Sequence, residues 1–110
     1  MTITRLKELG CDVESGLHRC LDNETFYLTL VNKLLASTDL SKLKSALEEG
    51  NLDEAFSLVH GMKGVFGNLS ITPVYDILSE MTELLRARTA LDYSPLMAKL
   101  EGIIGELKAA

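Results

Sequence analysis

Apolar residues recur along this chain at spacings that alternate between three and four, and nowhere do they alternate one-for-one with polar residues. The longest unbroken run is Leu52, Ala55, Val59, Met62, Phe66 and Leu69. An α-helix advances about 100° per residue, so this spacing gathers the apolar side chains on one stripe, whereas a half-buried strand requires a period of two. Such stripes are buried by packing helix on helix.

Punctuation divides the pattern. Ser94-Pro95 reads as an N-cap with proline in the first turn, opening a helix through Leu96, Leu100, Ile103 and Leu107. Thr72-Pro73 gives the same signal ahead of Val74, Ile77, Leu78, Met81, Leu84 and Leu85, and that helix is expected to run to about Arg88. Gly50 closes one helix, and Asn51 with Glu54 three residues on reads as a capping box that opens the next. Asn23 caps a helix carrying Tyr27, Leu28, Val31, Leu34 and Leu35; Leu40, Leu43 and Leu47 mark a shorter one. Asp12 caps a short helix through Val13, Leu17 and Leu21. The expected fold is all-α, an antiparallel four-helix bundle with short additional N-terminal helices, forming one domain over residues 1–110.

The 110 residues suffice for one core and leave no room for a separate catalytic domain. A net charge of −5 without a cluster of lysine and arginine argues against a nucleic-acid surface. The N-terminus lacks the apolar run of a signal peptide, and no segment approaches a membrane span, so a cytoplasmic protein is expected, with Met1 favouring a free-standing one. Cys11 and Cys20 read as reduced, half-buried thiols; with His18 they lack the tight C-x-x-C pair of a zinc site, and no metal site is expected.

One feature runs against helix stability. The stretch VHGMKGVFGN places Gly61, Gly64 and Gly67 inside the best-patterned helix, each at a cost of about 1 kcal/mol relative to alanine. On the helical count His60 points roughly 130° away from the centre of the apolar stripe, toward solvent, with Lys63, Gly64 and Gly67 on the same patch. Gly61 is explained by close approach of another helix. The patch around His60 points away from the core and calls for a different reason. A neutral imidazole is a competent nucleophile near pH 7. A phosphoryl group on it would bring close to two negative charges, which Lys63 would partly neutralise. Missing side chains would admit the reactive centre of a second macromolecule, where a small substrate would need a concave pocket. Folding the hairpin about residues 69–72 brings His60 opposite Met81 and Thr82, so that Ser79, Thr82 or Arg86 could hydrogen-bond near the imidazole. Phe56 falls at the edge of the stripe, either as the apolar part of a docking patch or as a flanking core residue. No serine, cysteine or acidic residue is spaced to make His60 the base of a hydrolase.

The stretch AFSLVHGMKGVFGNLSITPVYDILSEMTELL resembles the signature of histidine-containing phosphotransfer (HPt) domains: a histidine, an apolar residue, Lys-Gly and an Asn-Leu exit, here His60, Met62, Lys63, Gly64, Asn68 and Leu69. The N-terminal GCDVESGLHRCLDNETFYLTLVNKLL is similar to the opening helices of bacterial members. Ser70 stands where many members have glycine, and Phe66 where many carry a small residue; Phe66 is expected to point into the core. The resemblance implies a four-helix bundle in which His60 is the phosphoacceptor, Lys63 stabilises the phosphoryl oxygens and Gly64 clears the approach, with Phe56, Gly67, Thr82 and Arg86 as receiver-docking or hydrogen-bonding residues. It implies response-regulator receiver domains and a sensor or hybrid histidine kinase as partners, a monomer, no kinase activity of its own, and no intrinsic cofactor, the magnesium being carried by the receiver. A helical adaptor that binds a partner through the same surface without being phosphorylated is the competing reading. The absence of GxxxxGK and GxGxxG loops agrees with a chain that binds no nucleotide.

Overall fold

The computed structural model describes residues 1–110 as seven helices without a strand. In chain order these are α1 (Ile3–Glu8), α2 (Val13–Arg19), α3 (Glu24–Ser37), α4 (Ser41–Glu48), α5 (Leu52–Asn68), α6 (Thr72–Arg86) and α7 (Ser94–Ala109). The long helices α3, α5, α6 and α7 form the bundle, and its most extensive contact is the antiparallel hairpin of α5 and α6.

The stripes are buried as their spacing requires. From α5, Ala55, Val59 and Phe66 enter the core, with Leu52, Met62 and Leu69 packed at its margin. α6 buries Val74, Ile77, Leu78, Met81 and Leu85, with Leu84 half-buried at the margin. α7 buries Leu100 and Leu107 as expected but Met97 and Ile104 in place of Leu96 and Ile103, which stay half-buried because the helix is turned slightly from the direction its leucines alone suggested. α3 contributes Tyr27, Val31 and Leu35. One cluster of buried side chains runs from Leu6 in α1 to Leu107 in α7.

Three helix starts carry the expected side-chain caps, although the capping box at Asn51 is only half made, since its own N–H donates to Ala46 O at 2.8 Å rather than to the Glu54 carboxylate. Asp12, Asn23 and Asn51 accept from the backbone N–H groups of Ser15, Phe26 and Glu54 at 3.2, 3.0 and 3.2 Å. The two proline-marked starts differ from expectation. The N-cap positions fall on Ile71 and Tyr93, one residue earlier, and Thr72 and Ser94 are already helical. The Ser94 N–H donates to the Asp92 carboxylate at 2.9 Å instead, and hydrogen bonding from the Ser94 side chain first, with this N–H second, holds Asp92 below the usual carboxylate range. Leu21 does not extend α2: the helix ends at Arg19, and Leu21 turns to a positive φ and stands 90% exposed. α1, which the pattern did not single out, is capped by the Thr2 hydroxyl and buries Leu6.

The N-terminal helices grip the exit of α5. Tyr27 donates its hydroxyl to Leu69 O at 2.7 Å, and the Asp12 N–H is shared between Ser70 O and the Thr72 hydroxyl at 3.1 and 3.2 Å. Arg19 donates to Gly67 O at 2.7 Å, which also accepts from the Ser70 N–H at 3.1 Å, and to Asn68 O at 3.1 Å, so its guanidinium adds to the bonds that close the end of α5. α2 reaches this position because Gly16 has no side chain: a Cβ there would lie 2.5 Å from the Tyr27 ring. Cys11 and Cys20 are free thiols, both buried rather than half-buried. Burial raises the Cys11 thiol to about 11 and the Tyr27 phenol, chiefly by desolvation, to about 12. No helix is long and apolar enough to cross a membrane.

Candidate functional site

His60 stands on the exposed face of α5, two turns before the helix ends. One turn earlier on the same face, Phe56 lies against it: the ring centroids are 5.5 Å apart and the planes 12° from parallel, a stacked pair. Phe56 is half-buried and packed on the core margin, so it belongs both to the flank of the core and to the histidine face. One turn after His60, the space above Gly64 is empty; a Cβ built there meets nothing within 4 Å. The imidazole is therefore covered on the Phe56 side and open on the Gly64 side.

Lys63 is half-buried, and its ammonium lies 5.9 Å from the centroid of the Tyr75 ring on α6. None of the ion pairs of the chain includes it. His60, Lys63 and Gly64 line an open depression of about 610 Å³ between α5, α6 and α2, to which Arg19, Tyr75 and Asp76 also contribute. The surface is concave rather than flat, because Tyr75 and α2 wall one side of it.

Gly67 has a different reason to be glycine. A Cβ there would lie 2.9 and 3.0 Å from two ring carbons of Tyr75, so its absence seats Tyr75 against α5 and thereby sets the aromatic floor under Lys63. This replaces the reading of Gly67 as bare docking surface. The packing reason offered for Gly61 also fails: Gly61 is exposed and no atom approaches its missing Cβ within 4 Å.

The other residues proposed from the hairpin separate clearly. Gly67 meets Tyr75 and Phe56 meets Arg86, and this register puts His60 level with Thr82, as the folded hairpin suggested. Thr82 is nevertheless fully buried and donates its hydroxyl to Leu78 O at 2.6 Å, so it neither docks a partner nor reaches the imidazole. A threonine inside a helix satisfies its hydroxyl on its own preceding turn. Ser79 Oγ is buried without a partner, which removes it as a donor to His60. Arg86 remains at the site, with its guanidinium 5.4 Å from the Phe56 ring centroid and paired to Glu83 at 3.6 Å.

Tyr75, Arg19 and Arg88 come to the site without having been singled out in the sequence. Arg88 lies 5.8 Å from the Phe56 ring, forms an ion pair with Asp53 and donates to Leu85 O at 2.8 Å. Tyr75 was within reach of the hairpin count; Arg19 lies outside both helices, and Arg88, where the second helix was expected to end, stands two residues beyond the observed end of α6 at Arg86. No three histidine, cysteine, aspartate or glutamate side chains converge to hold a metal ion.

Compared with known proteins, residues 35–110 match the family model described as Hpt domain, a span that contains α4 to α7 and with them His60, Lys63, Gly64 and Tyr75, while α2 and Arg19 lie outside it. No curated protein and no solved structure matches the chain.

Proposed function

The chain belongs to the Hpt domain family, phosphotransfer modules of two-component signalling that are not kinases, and from that premise we propose that His60 is its phosphoacceptor, taking the phosphoryl group from a receiver aspartyl phosphate and passing it to another receiver aspartate. The observation that carries the reading is the exposed imidazole with empty space above Gly64 on one side and an ammonium free of any carboxylate at Lys63.

The lone-pair nitrogen of the neutral imidazole attacks phosphorus; the N–P bond forms as the P–O bond to the aspartyl carboxylate breaks, and the carboxylate leaves with that electron pair. The positive charge left on the ring is relieved when the proton on its other nitrogen passes to water. In the onward transfer the ring regains a proton from water, a second carboxylate attacks phosphorus, and the N–P bond breaks with its electron pair returning to the ring nitrogen, which restores the neutral imidazole. Lys63 balances the charge of the phosphoryl oxygens, and its half-buried stem limits how far the ammonium can wander. Gly64 admits the partner's reacting carboxylate to bonding distance. Any magnesium in the reaction belongs to the receiver, and the phosphate originates at a sensor or hybrid histidine kinase.

Incubation with a phosphorylated receiver domain tests this. The expected product carries one label on this chain, acid-labile and alkali-stable as a phosphoramidate is, absent from His60→Gln and unchanged in His18→Gln. Label that persists in His60→Gln removes the assignment. Binding of the receiver without transfer assigns the surface to a non-phosphorylated adaptor instead.

A further inference from the structure

An imidazole on an exposed helix face ordinarily turns among several rotamers, and each excursion withdraws the nucleophilic nitrogen from a donor's path. Here it is stacked on Phe56 at 5.5 Å, and the surroundings of Phe56 account for why that ring stays in place. Phe56 precedes His60 by four residues, the spacing at which helical side chains meet. Two guanidinium groups lie by its ring, Arg86 at 5.4 Å and Arg88 at 5.8 Å from the centroid. The attraction of a cation for an aromatic face favours both contacts.

Arg88 is the unusual member of this group. It follows the end of α6 at φ 54, in the left-handed region that glycine ordinarily fills at this position. Its N–H bonds to Leu85 O at 3.0 Å and the Thr89 N–H to Leu84 O at 2.9 Å, the paired bonds of a glycine-type helix stop made by an arginine. What the arginine adds is its guanidinium, held by Leu85 O, by the Asp53 carboxylate in the first turn of α5 and by the Phe56 ring. The end of α6 is thus tied to the start of α5 across the outer side of Phe56.

We propose that Phe56 is a positioning residue that holds the His60 imidazole in one orientation, and that Arg88, fixed by Asp53, braces Phe56 from outside. With the Phe56 flank closed, the donor approaches only from the Gly64 side, where Lys63 stands. The placement of the ring is independent of the function proposed for His60; its effect on rate rests on that reading.

The test separates the two. The imidazole C–H protons of His60 are followed by NMR, with the exposed His18 as internal reference, and phosphorylation is driven by phosphoramidate, a small donor that needs no docking surface. In the wild type the stack shifts the His60 protons upfield of those of His18. Phe56→Leu keeps an apolar side chain on the core margin, brings the His60 signals to the His18 position and slows phosphorylation by about tenfold or more, the scale on which lost orientation acts. Phe56→Tyr restores both. Arg88→Gly preserves Phe56 and suits the left-handed backbone, and it moves both readouts in the direction of Phe56→Leu by a smaller amount. Wild-type His60 signals that already match those of His18, or a Phe56→Leu variant with unchanged shifts or unchanged rate, overturn the role of Phe56. An Arg88→Gly variant identical to wild type overturns the brace. Failure of the wild type to become phosphorylated by either phosphoramidate or a charged receiver counts against the phosphoacceptor reading, and the ring shifts then still decide the stack.

Discussion

Replacing the three glycines of α5 by alanine, one at a time, separates access from packing at the proposed site. Gly61 and Gly64 both face open space, with nothing within 4 Å of the added methyl, so each variant is expected to gain the full helix-propensity difference of about 0.8–1.0 kcal/mol. For a domain of this size that corresponds to a rise of roughly 4 °C in the thermal midpoint. Gly67→Ala gains the same propensity term but sets its methyl 2.9 Å from the Tyr75 ring. Overpacking of this kind costs about 1–3 kcal/mol, so the midpoint should stay level or fall. Transfer should sort the variants differently. Gly61 faces the groove between α5, α3 and α4, away from His60, so Gly61→Ala should transfer at the wild-type rate. Gly64→Ala stands beside the imidazole in the same depression and should slow transfer while melting higher; Gly64→Gln should nearly abolish it. The assays are thermal unfolding by far-UV circular dichroism and the rate of phosphate exchange with a charged receiver. A Gly64→Ala variant that exchanges like wild type refutes the access argument, and a Gly67→Ala variant as stable as Gly64→Ala refutes the packing argument.

Four further outcomes are expected. Lys63→Ala should change stability by no more than about 0.5 kcal/mol, yet shift the phosphate partition toward the receiver by the 1.5–3 kcal/mol or so of a charge-assisted contact, with Lys63→Arg intermediate; equal partition in all three would sink the role given to Lys63. Tyr27→Phe leaves Leu69 O without its 2.7 Å bond and should cost about 1–3 kcal/mol in denaturant unfolding, and an unchanged midpoint would show that α3 does not hold the α5 exit. Ser70 sits at φ 56, so Ser70→Gly should stabilise by about 1 kcal/mol as the strain is relieved, and a lower melting point would contradict this. Cys11 and Tyr27 keep their protons in the fold to about 11 and about 12, above their ordinary 9.0 and 10.0, so the unfolded chain ionises first. Their contribution is intact below pH 9.0 and lost as pH rises to about 12; Cys11→Ala should remove the slope that begins at 9.0 and leave only the share of Tyr27, which begins at 10.0, as read from denaturant unfolding across the range.

Periodicity made the helices legible from the sequence. Leu52, Ala55, Val59, Met62, Phe66 and Leu69 are spaced to turn one face of α5 inward, and the same arithmetic sends His60, Lys63 and Gly64 outward without reference to any other helix. Caps are equally local, since Asp12, Asn23 and Asn51 each bond a backbone N–H three residues away. Counting residues through the turn even placed His60 at the level of Thr82, but a count gives height along a helix and not the direction of a side chain, so it could not show that Thr82 faces inward. The glycines were the other ambiguity, because Gly61, Gly64 and Gly67 carry the same local cost and differ only in what another helix sets against them. Only the packed bundle decides that Tyr75 fills the space at Gly67 and that nothing fills it at Gly64. Only the bundle, too, brings Arg88 back over Phe56 to Asp53, a contact between residues 35 apart in sequence whose approach is set by the antiparallel hairpin. A helical pattern is fixed by each residue's own neighbours along the chain, whereas the surroundings of an outward side chain depend on the rotation and register of the helices packed beside it.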